Sequence, residues 1–518
     1  MSNHLFDAIR RSIPADDAVF IETAERRWTY GDMLEWSGRI AGAIDTLGVR
    51  PGDRVAVQVE KSAHALMLYL ACIRCGAIYL PLNTAYTLAE LDYFIGDAEP
   101  RLVVADPKAA DGIRTIASKH GALVETLDEH GGGTLLELAN DESPDFVEAA
   151  RMADDPAAIL YTSGTTGRSK GAILTHANLL SNAQTLKDTW RFTPDDRLIH
   201  ALPIFHTHGL FVGTNVILIS GASMFLLPKF DPAQVLALMP RATTLMGVPT
   251  FYVRLLQHDG LDRQAVANMR LFISGSAPLL ADTHRAFQER TGHAILERYG
   301  MTETNMNTSN PYDGERRAGT VGFPLPGVTI RVSQAETGEI LGREETGMIE
   351  VKGPNVFKGY WRMPEKTKAE FRDDGFFITG DLGKIDAQGY VHIIGRQKDL
   401  VISGGYNIYP KEVEGEIDQL PGVVECAVIG VAHPDLGEGV TAVVVKQPSS
   451  SLDERAIRDA LGDRLARYKQ PKQIIFVDDL PRNTMGKVQK NVLRERYCDL
   501  YTARAGDDLK HSALPSGG

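Results

Sequence analysis

The sequence contains little cysteine, with only four such residues among 518. That number is too small for a disulfide framework and is typical of a protein from a reducing compartment. Cys72 and Cys75 have the spacing of a redox or zinc motif, but no second cysteine pair lies nearby to complete a metal site. Because both occur within the apolar run ALMLYLACIRCGAIYL, we predict that they belong to a hydrophobic core.

Long apolar runs and an excess of basic residues are also missing. No apolar run reaches the ~18 residues of a membrane span, and the start MSNHLFDAIRRSIPADD lacks the apolar stretch of a signal peptide. The formal net charge is −12, from 55 basic and 67 acidic side chains. This balance disfavours nucleic acid or an anionic membrane as the main partner. We therefore expect a cytoplasmic protein with neither kind of partner.

The residues that are present indicate a globular protein with more than one folded unit. The composition is 43% hydrophobic and 24% charged, as in soluble domains, and the chain is longer than one core needs. The strand-like runs DRVAVQVE and PRLVVAD alternate with helix-like runs such as AHALMLYLACIR, which predicts an α/β fold of layered sheets and helices. The short alternating runs GMIEVKG, GFFITGD and GYVHIIGR predict a β-rich subdomain.

The pattern changes after Gly395. Helix-like KEVEGEIDQL, strand-like VECAVIGV and VTAVVVK, helix-like DERAIRDALGDRLARY, strand-like QIIFV and a last helix after MGK follow one another. They predict a small, mobile α+β domain of about 120 residues, which is an ordinary domain size. We predict a large N-terminal domain over residues 1–396, a small C-terminal domain over 397–518, and a hinge near Lys398.

The segment YTSGTTGRSKG, residues 161–171, is small, polar and rich in glycine. It lies between the apolar run AAIL and the helix-like THANLLSNAQTLKDTW, so we expect a strand, a turn and a helix N-terminus that together present backbone N–H groups to phosphate. A Walker A loop is excluded by spacing, because the fifth residue after Gly164 is Ser169 and not glycine. Taken alone, the segment is also compatible with a flexible surface loop.

Other motifs decide between these alternatives. YTSGTTGRSKG resembles the phosphate loop of the ANL superfamily of adenylate-forming enzymes, which includes acyl-CoA synthetases, luciferases and peptide-synthetase adenylation domains. Four more of its signatures follow in the same order: YGMTET (299–304), TGDLG (379–383), GRQKDLVISGGYNIYP (395–410) and PRNTMGKVQK (481–490). The resemblance covers nearly the whole chain. It implies that a carboxylate is activated with ATP to an acyl-adenylate and then transferred to a thiol, with ATP, Mg²⁺ and coenzyme A (CoA) as cofactors or co-substrates.

The resemblance also implies a set of nucleotide contacts. The phosphates would be held by Thr162, Ser163, Gly164, Thr165, Thr166, Gly167 and Lys170. Glu303 would hold Mg²⁺ together with Thr165, since carboxylate and hydroxyl oxygens suit this hard cation. Asp381 and Arg396 would bind the ribose hydroxyls. The remaining contacts to the nucleotide would come from Ser276, Ala277, Pro278, Glu297, Tyr299, Gly300, Met301 and Thr302.

Two further features of the resemblance distinguish adenylation from the transfer to the thiol. Lys487 would bind the acyl phosphate oxygens during adenylation, and the small domain would then rotate about Lys398. Ser403, Gly404 and Gly405 would line the passage of the pantetheine arm, where glycine allows close approach to the backbone. Catalytic roles would thus fall to Lys487, Glu303, Thr165 and His206. Acylation of the Lys487 amine would switch adenylation off.

The residue before Tyr299 predicts the substrate. Many acyl-CoA synthetases have glycine at this position, whereas this chain has Arg298, whose guanidinium would fill the acyl pocket and pair with a second carboxylate. ERYGMTET is similar to the malonyl-CoA synthetases of the superfamily, so malonate or methylmalonate is the expected acid. His206, Ser276 and Met306 would complete the acyl pocket.

Other interpretations stay open at the level of the sequence. Arg298 could instead form a structural ion pair, which would leave room for another short, medium-chain or aromatic acid. An adenylation enzyme that loads a carrier protein is a further alternative, although no carrier attachment motif is evident after residue 490.

Overall fold

A computed structural model describes residues 2–162, 169–404, 406–462, 464–483 and 486–501. Its α-helices are α1 His4–Ser12, α2 Tyr30–Thr46, α3 Ala63–Cys75, α4 Leu88–Ala98, α5 Ala110–Lys119, α6 Thr134–Asn140, α7 His176–Thr189, α8 Asn215–Ser220, α9 Pro232–Leu238, α10 Pro249–Leu256, α11 Ala281–Thr291, α12 Pro364–Ala369, α13 Pro410–Asp418, α14 Glu454–Gly462 and α15 Lys490–Arg496. A π-helical segment, His208–Thr214, precedes α8. Among the described residues, no helix is long and apolar enough to cross a membrane.

The strands of the described part are β1 Val19–Glu22, β2 Arg27–Thr29, β3 Arg54–Gln58, β4 Ile78–Pro81, β5 Leu102–Ala105, β6 Leu123–Thr126, β7 Pro156–Thr162, β8 Lys170–Thr175, β9 Arg197–His200, β10 Ser223–Leu226, β11 Thr244–Gly247, β12 Leu271–Ser274, β13 Leu296–Met301, β14 Asn305–Ser309, β15 Phe323–Pro324, β16 Thr329–Ser333, β17 Gly347–Lys352, β18 Gly359–Tyr360, β19 Phe377–Ile385, β20 Val391–Arg396, β21 Val401–Ser403, β22 Tyr406–Ile408, β23 Val423–His433, β24 Gly437–Lys446 and β25 Gln473–Val477. The alternation of strands and helices confirms the predicted α/β class.

The chain divides into two compact units. The first comprises residues 1–330, 350–378 and 389–391, and the second comprises residues 331–349, 379–388 and 392–518. Strands β16, β17, β19 and β20, which include the predicted β-rich runs, form a four-stranded sheet in that order. The domain boundary at residue 396 and the hinge near Lys398 stay predictions.

The first unit contains two large sheets. One has the strand order β15-β14-β13-β12-β11-β9-β10-β1-β2, and the other has the order β18-β8-β7-β4-β3-β5-β6. In the first of them, the run from β13 to β1 is parallel. The carboxyl ends of those parallel strands therefore meet along one edge, which is where open α/β sheets bind ligands.

The surroundings of the glycine-rich segment differ from the prediction. β7 and β8 pair as an antiparallel hairpin in which Thr162 faces Lys170 and Pro156 faces Thr175. Helix α7 follows β8, and its N-cap Thr175 therefore lies at the opposite end of the hairpin from Thr162. The expectation that this helix N-terminus supports the glycine-rich segment is wrong. Residues 163–168 themselves lie outside the described part of the chain.

Helix α3 is buried on all sides, which explains why its sequence lacks an amphipathic pattern. Every residue from Ala63 to Cys75 is buried, so the helix has no solvent face that would require polar side chains. Burial raises the pKa of both the Cys72 and the Cys75 thiols, which keeps them protonated and unreactive. The prediction that these two cysteines belong to a hydrophobic core is confirmed.

The second unit contains a sheet with the order β22-β21-β24-β23, and β25 pairs in parallel with β24. Alternate residues of β23 enter two different cores, as period two requires. Cys426 and Val428 pack with side chains of α13 and α14, whereas Ile429 and Val431 pack with Leu493 of α15 and its neighbours. Both faces of this sheet are therefore covered by helices, as the predicted α+β pattern requires.

One buried histidine makes the stability of the first unit depend on pH. His176, at the start of α7, is 0% exposed, and neither ring nitrogen has a hydrogen-bond partner. Burial lowers the pKa of His176 to about 4 from its ordinary value of 6.5. Since the unfolded chain then binds the proton more readily, stability is lost as the pH falls below 6.5.

We expect the variant His176→Leu to lose less stability than the wild type on acidification. Between pH 7 and pH 5, its decrease in the free energy of unfolding should be smaller by about 2 kcal/mol, since one pKa unit corresponds to about 1.4 kcal/mol. Urea titrations at the two pH values measure the difference. His130→Leu, at an exposed histidine, is the control and should keep the wild-type pH dependence. Equal pH dependence in all three proteins would contradict the prediction.

Candidate active site

Three of the four predicted acyl-pocket residues lie at or beyond the carboxyl ends of the parallel-paired parts of the strands, whereas Met306 lies on the antiparallel strand β14. His206 follows β9, Ser276 follows β12, and Arg298 lies on β13. β12 pairs with β13 on one side and with β11 on the other, and β11 pairs with β9. The parallel arrangement therefore collects these segments at one sheet edge although they are separated by up to about 90 residues of sequence.

Arg298 is a buried cation whose hydrogen-bonding capacity is largely unused. Its exposed fraction is 4%, and Nε and Nη2 have no hydrogen-bond partner. Burial lowers the pKa of Arg298 to about 9, which leaves the guanidinium protonated at neutral pH. Within the described part of the chain, no ion pair joins it to a carboxylate, contrary to the structural alternative. A buried, unpaired guanidinium is a complement for an anion with two oxygens.

Gly275 gives the Arg298 guanidinium its space. A Cβ atom at position 275 would lie 2.4 Å from Arg298 Cζ, so any side chain there would displace the guanidinium. The neighbouring Ser276, Ala277 and Pro278 were predicted to contact the nucleotide, and nothing in the local sequence indicated contact with an arginine. Gly275 is therefore a site residue that the sequence did not reveal.

Two histidines lie in the segment after β9, and one of them contacts Ser276. The His208 backbone N–H donates to His206 Nδ1 at 3.3 Å, and Ser276 Oγ lies 3.2 Å from His208 Nδ1. Burial, and then the charge of Arg298, hold the pKa of His208 well below its ordinary value, so its ring is neutral. His208 opens the π-helical segment, a feature frequent at functional sites. It was not among the predicted site residues.

The other residues of β13 and β14 occupy a closely packed strand pair. Met306 is buried and faces Gly300 across the ladder. A Cβ at Gly300 would lie 1.9 Å from the Asn305 carbonyl oxygen, so only glycine fits. Glu297 and Tyr299 are buried, and Glu297 Oε1 accepts a hydrogen bond from the Gly319 backbone N–H at 3.3 Å.

The remaining predicted nucleotide residues of the first unit are more accessible. Met301 and Thr302 are partly buried at the end of β13, as is Ala277 after β12, and Pro278 is exposed. Ser276 has a φ of 70°, a left-handed conformation that a non-glycine residue rarely adopts and that is often found at ligand sites.

A second cluster surrounds the two described flanks of the glycine-rich segment. Thr162 Oγ1 lies 3.4 Å from Glu303 Oε1. Lys170 Nζ forms an ion pair of 2.9 Å with Glu370 Oε1. Tyr360 joins the two carboxylates, because its hydroxyl is 2.6 Å from Glu370 Oε2 and 3.1 Å from Glu303 Oε1. The structure thus brings Thr162 beside Glu303, and Tyr360 and Glu370 connect this pair with Lys170.

Tyr360 and Glu370 are further residues of this cluster that sequence reasoning missed. β18, which ends at Tyr360, pairs with β8, which begins at Lys170. Burial raises the pKa of Glu370, but hydrogen bonds from Tyr360, Lys366 and Lys170 outweigh it and lower that pKa below its ordinary value. Glu370 is therefore ionised at neutral pH and balances the charge of Lys170.

The oxygen atoms of the described residues could supply only part of a Mg²⁺ coordination sphere. Glu303 offers a buried carboxylate beside the Thr162 hydroxyl, and among the described residues no cluster of three or more His, Cys, Asp or Glu side chains could hold a metal alone. One carboxylate with few protein ligands is typical of Mg²⁺ bound together with substrate phosphates. The predicted Ser163, Gly164, Thr165, Thr166 and Gly167 lie outside the described residues.

In the second unit, the predicted ribose residues form an ion pair. Arg396 Nε lies 3.3 Å from Asp381 Oδ1, since Asp381 on β19 and Arg396 on β20 belong to neighbouring strands. The Asp381 backbone N–H donates to Thr379 Oγ1 at 3.0 Å, and the side chain of Asp381 is buried. A held carboxylate beside a guanidinium can accept hydrogen bonds from a vicinal diol.

The other predicted residues of the second unit lie in turns. Lys398 is exposed in the turn Gln397–Asp399, which an ion pair of 2.7 Å between Asp399 and Arg494 connects to α15. Ser403 ends β21 and is buried, and Gly404 follows it with a φ of 58°. Gly405 lies outside the described residues. Lys487 is partly buried in the turn before α15.

Comparisons with known proteins agree with this arrangement. A family model described as AMP-binding enzyme matches residues 9–361, and one described as AMP-binding enzyme C-terminal domain matches residues 412–487. MatB from Rhodopseudomonas palustris, in an ATP-bound crystal structure, is 64% identical with a TM-score of 0.95 over 97% of this chain and 100% of that one. A malonate–CoA ligase from Arabidopsis thaliana is 33% identical over 95% of this chain and 90% of that protein. A feruloyl-CoA synthase from an Amycolatopsis species is 36% identical over 94% of this chain and 98% of that protein.

Proposed function

The chain belongs to the AMP-binding, adenylate-forming enzyme family, as its motifs predicted, and we propose that it is a ligase that joins malonate to CoA. In the first step, one malonate carboxylate attacks the α-phosphorus of ATP, and pyrophosphate leaves. In the second step, the CoA thiol loses its proton and attacks the carbonyl carbon of malonyl-adenylate, and AMP leaves with the bonding electron pair. Methylmalonate, which also carries a second carboxylate, is the further substrate in this proposal.

The observation that carries the choice of malonate is the buried Arg298. A fatty or aromatic tail would have to pack against an unpaired guanidinium, at the cost of leaving its N–H donors without acceptors. A second carboxylate satisfies those donors in a bidentate pair. His206, Ser276 and Met306 complete this pocket in our proposal, and His208, held neutral, adds no competing charge. The relative from Arabidopsis thaliana, a malonate–CoA ligase, supports the same choice.

At the phosphate end, the chain's own residues order and neutralise charge. We assign the phosphate contacts to Thr162, to residues 163–167 and to Lys170, and the metal contact to Glu303 and Thr165. When bound, Mg²⁺ would reduce the negative charge of the phosphates. The Tyr360 hydroxyl donates to Glu370 Oε2 and lies 3.1 Å from Glu303 Oε1, and the Glu370 carboxylate holds Lys170 in place before the nucleotide arrives. Such preorganisation lowers the barrier for a charged transition state.

In our proposal, the second unit supplies ribose contacts that serve both steps and other groups that differ between the steps. Asp381 and Arg396 bind the ribose in both. Lys487 stabilises the charge that develops on the oxygens between the acyl group and phosphorus, and rotation about Lys398 then replaces it with Ser403, Gly404 and Gly405 along the pantetheine arm. We also propose that acylation of Lys487 removes its charge and stops the first step. The cysteine usage supports our proposal of a cytoplasmic location.

A product assay across matched acids tests the proposal. The protein is incubated with ATP, Mg²⁺ and CoA and with malonate, methylmalonate, succinate, butyrate, octanoate, benzoate or ferulate, and the thioesters are identified by mass. We expect malonate to have the highest kcat/KM. Faster turnover of benzoate, ferulate or octanoate would contradict the choice of malonate. AMP formation without any thioester would favour transfer to a carrier protein instead of CoA.

A further inference from the structure

The backbone around Lys487 forms a closed turn. The Asn483 backbone N–H donates to the Lys487 carbonyl oxygen at 2.9 Å, and the Gly486 backbone N–H donates to the Asn483 carbonyl oxygen at 2.9 Å. The Lys487 backbone N–H donates to Asn483 Oδ1 at 2.9 Å. Gly486 has a φ of 73°, which favours glycine. The position of the Lys487 side chain therefore depends on the position of this turn as a whole.

Arg482 connects the turn to the sheet of the second unit. Its Nη1 donates to the Gly486 carbonyl oxygen at 2.6 Å, and its Nη2 forms an ion pair with Glu425 on β23. About a quarter of each of these two side chains is exposed. A planar guanidinium has its donors in a fixed geometry, so one side chain restrains the turn relative to β23 in both distance and orientation.

A second ion pair restrains the chain beyond the turn. Lys490 Nζ, at the start of α15, lies 2.7 Å from Glu414 Oε1 on α13. Glu414 Oε1 also accepts a hydrogen bond from the backbone N–H of Val428 on β23 at 2.7 Å. The start of α15 is thus attached to the same strand that Arg482 reaches, and Arg482 connects the part of the turn next to Lys487 to that strand through the Gly486 carbonyl oxygen.

We propose that Arg482 is a positioning residue for Lys487, acting through the Gly486 carbonyl and anchored by Glu425. This inference rests on the proposed function, in which Lys487 acts only in adenylation. Arg482 touches no reacting atom in this proposal. Its loss leaves the lysine amine intact but less precisely placed, and small misplacement of a catalytic group is costly in rate.

The test compares Arg482→Ala with Arg458→Ala. Arg458 is a matched control in the same unit, since it donates to the carbonyl oxygens of Pro471 and Lys472 and pairs with Glu454. We expect Arg482→Ala to slow adenylation by about 10- to 100-fold and to leave thioester formation from supplied malonyl-adenylate within about twofold. Arg458→Ala should affect both steps equally. Equal loss in both steps for Arg482→Ala would overturn the inference.

Glu425→Gln provides a milder second variant in case Arg482→Ala folds poorly. It keeps an oxygen acceptor for Arg482 but removes the charge, so we expect a loss of adenylation intermediate between wild type and Arg482→Ala. Unchanged adenylation in Glu425→Gln would overturn the anchoring role. The variant Arg482→Lys keeps a positive charge but lacks the planar guanidinium. We expect its adenylation rate to lie above that of Arg482→Ala by less than half of the difference between Arg482→Ala and the wild type.

Hydrogen exchange gives a readout that needs no activity. We expect the amides of a peptide covering residues 481–489 to exchange about tenfold faster in Arg482→Ala than in the wild type, and unchanged in Arg458→Ala. Wild-type exchange in Arg482→Ala would overturn the inference. A failure of the proposed function is distinguishable, because the wild type itself would then form no malonyl-adenylate while the exchange difference persisted.

Discussion

Lys487→Ala is expected to slow formation of malonyl-adenylate from malonate and ATP by about 100- to 1,000-fold. That is the usual cost of removing one group that stabilises charge developing in a transition state. Thioester formation from supplied malonyl-adenylate should stay within about threefold of the wild type, because in the proposed second step the amine has left the site. Quenched-flow measurement of the two half-reactions, each with its own starting material, checks both values.

The control for this variant is Lys446→Ala, at an exposed lysine at the end of β24 in the same unit. It should leave both half-reactions unchanged. Acetylation of the Lys487 amine should reproduce the selective loss seen in Lys487→Ala, because the acyl group removes the charge. Equal loss in both half-reactions would show that Lys487 supports the fold or acts in both steps, and an acetylated enzyme with full activity would contradict the proposed switch.

Arg298→Ala is expected to lower kcat/KM for malonate by about 30- to 1,000-fold. Two unit charges about 4 Å apart attract by about 4 kcal/mol at an effective dielectric constant near 20. After desolvation costs, a net 2–4 kcal/mol is a reasonable expectation for a buried bidentate pair, at about 1.4 kcal/mol per tenfold. Acetate and butyrate should lose far less or gain, because the space beside Gly275 is then open to an apolar tail.

The binding of ATP provides the internal reference for Arg298. Its Kd, measured by calorimetry without malonate, should change by less than about threefold, since the guanidinium is assigned to the acid alone. Arg316→Ala is the control for general damage. Within the described part of the chain, Arg316 donates to the backbone carbonyl oxygens of Pro311, Ala294 and Tyr312, so its removal should leave the ratio of malonate to butyrate unchanged. If folded Arg298→Ala still prefers malonate over butyrate by the wild-type ratio, another residue selects the substrate.

The sequence by itself determined the parts of this protein whose signals are local. The five motifs were sufficient to identify the family because their residue types and order are specific. The strand-like run VECAVIGV was sufficient for β23, and an unbroken apolar run was sufficient for the buried helix α3 with Cys72 and Cys75. The presence of Arg298 in a motif position that is often glycine was sufficient to suggest a dicarboxylate. Each motif, run or motif position consists of residues near one another in the chain, and the order of the motifs is given directly by the sequence.

Only the tertiary structure decided which distant residues meet. Glu370 pairs with Lys170 across 200 residues of sequence, and nothing in KTKAEF marks it as a partner. Gly275 makes room for Arg298 because β12 and β13 are neighbours. Helix α7 begins at the far end of the β7–β8 hairpin because β8 returns along β7, which a run of polar residues followed by a helix does not specify. Strand pairing and burial are properties of the assembled sheets, so the local propensity of a segment does not determine them.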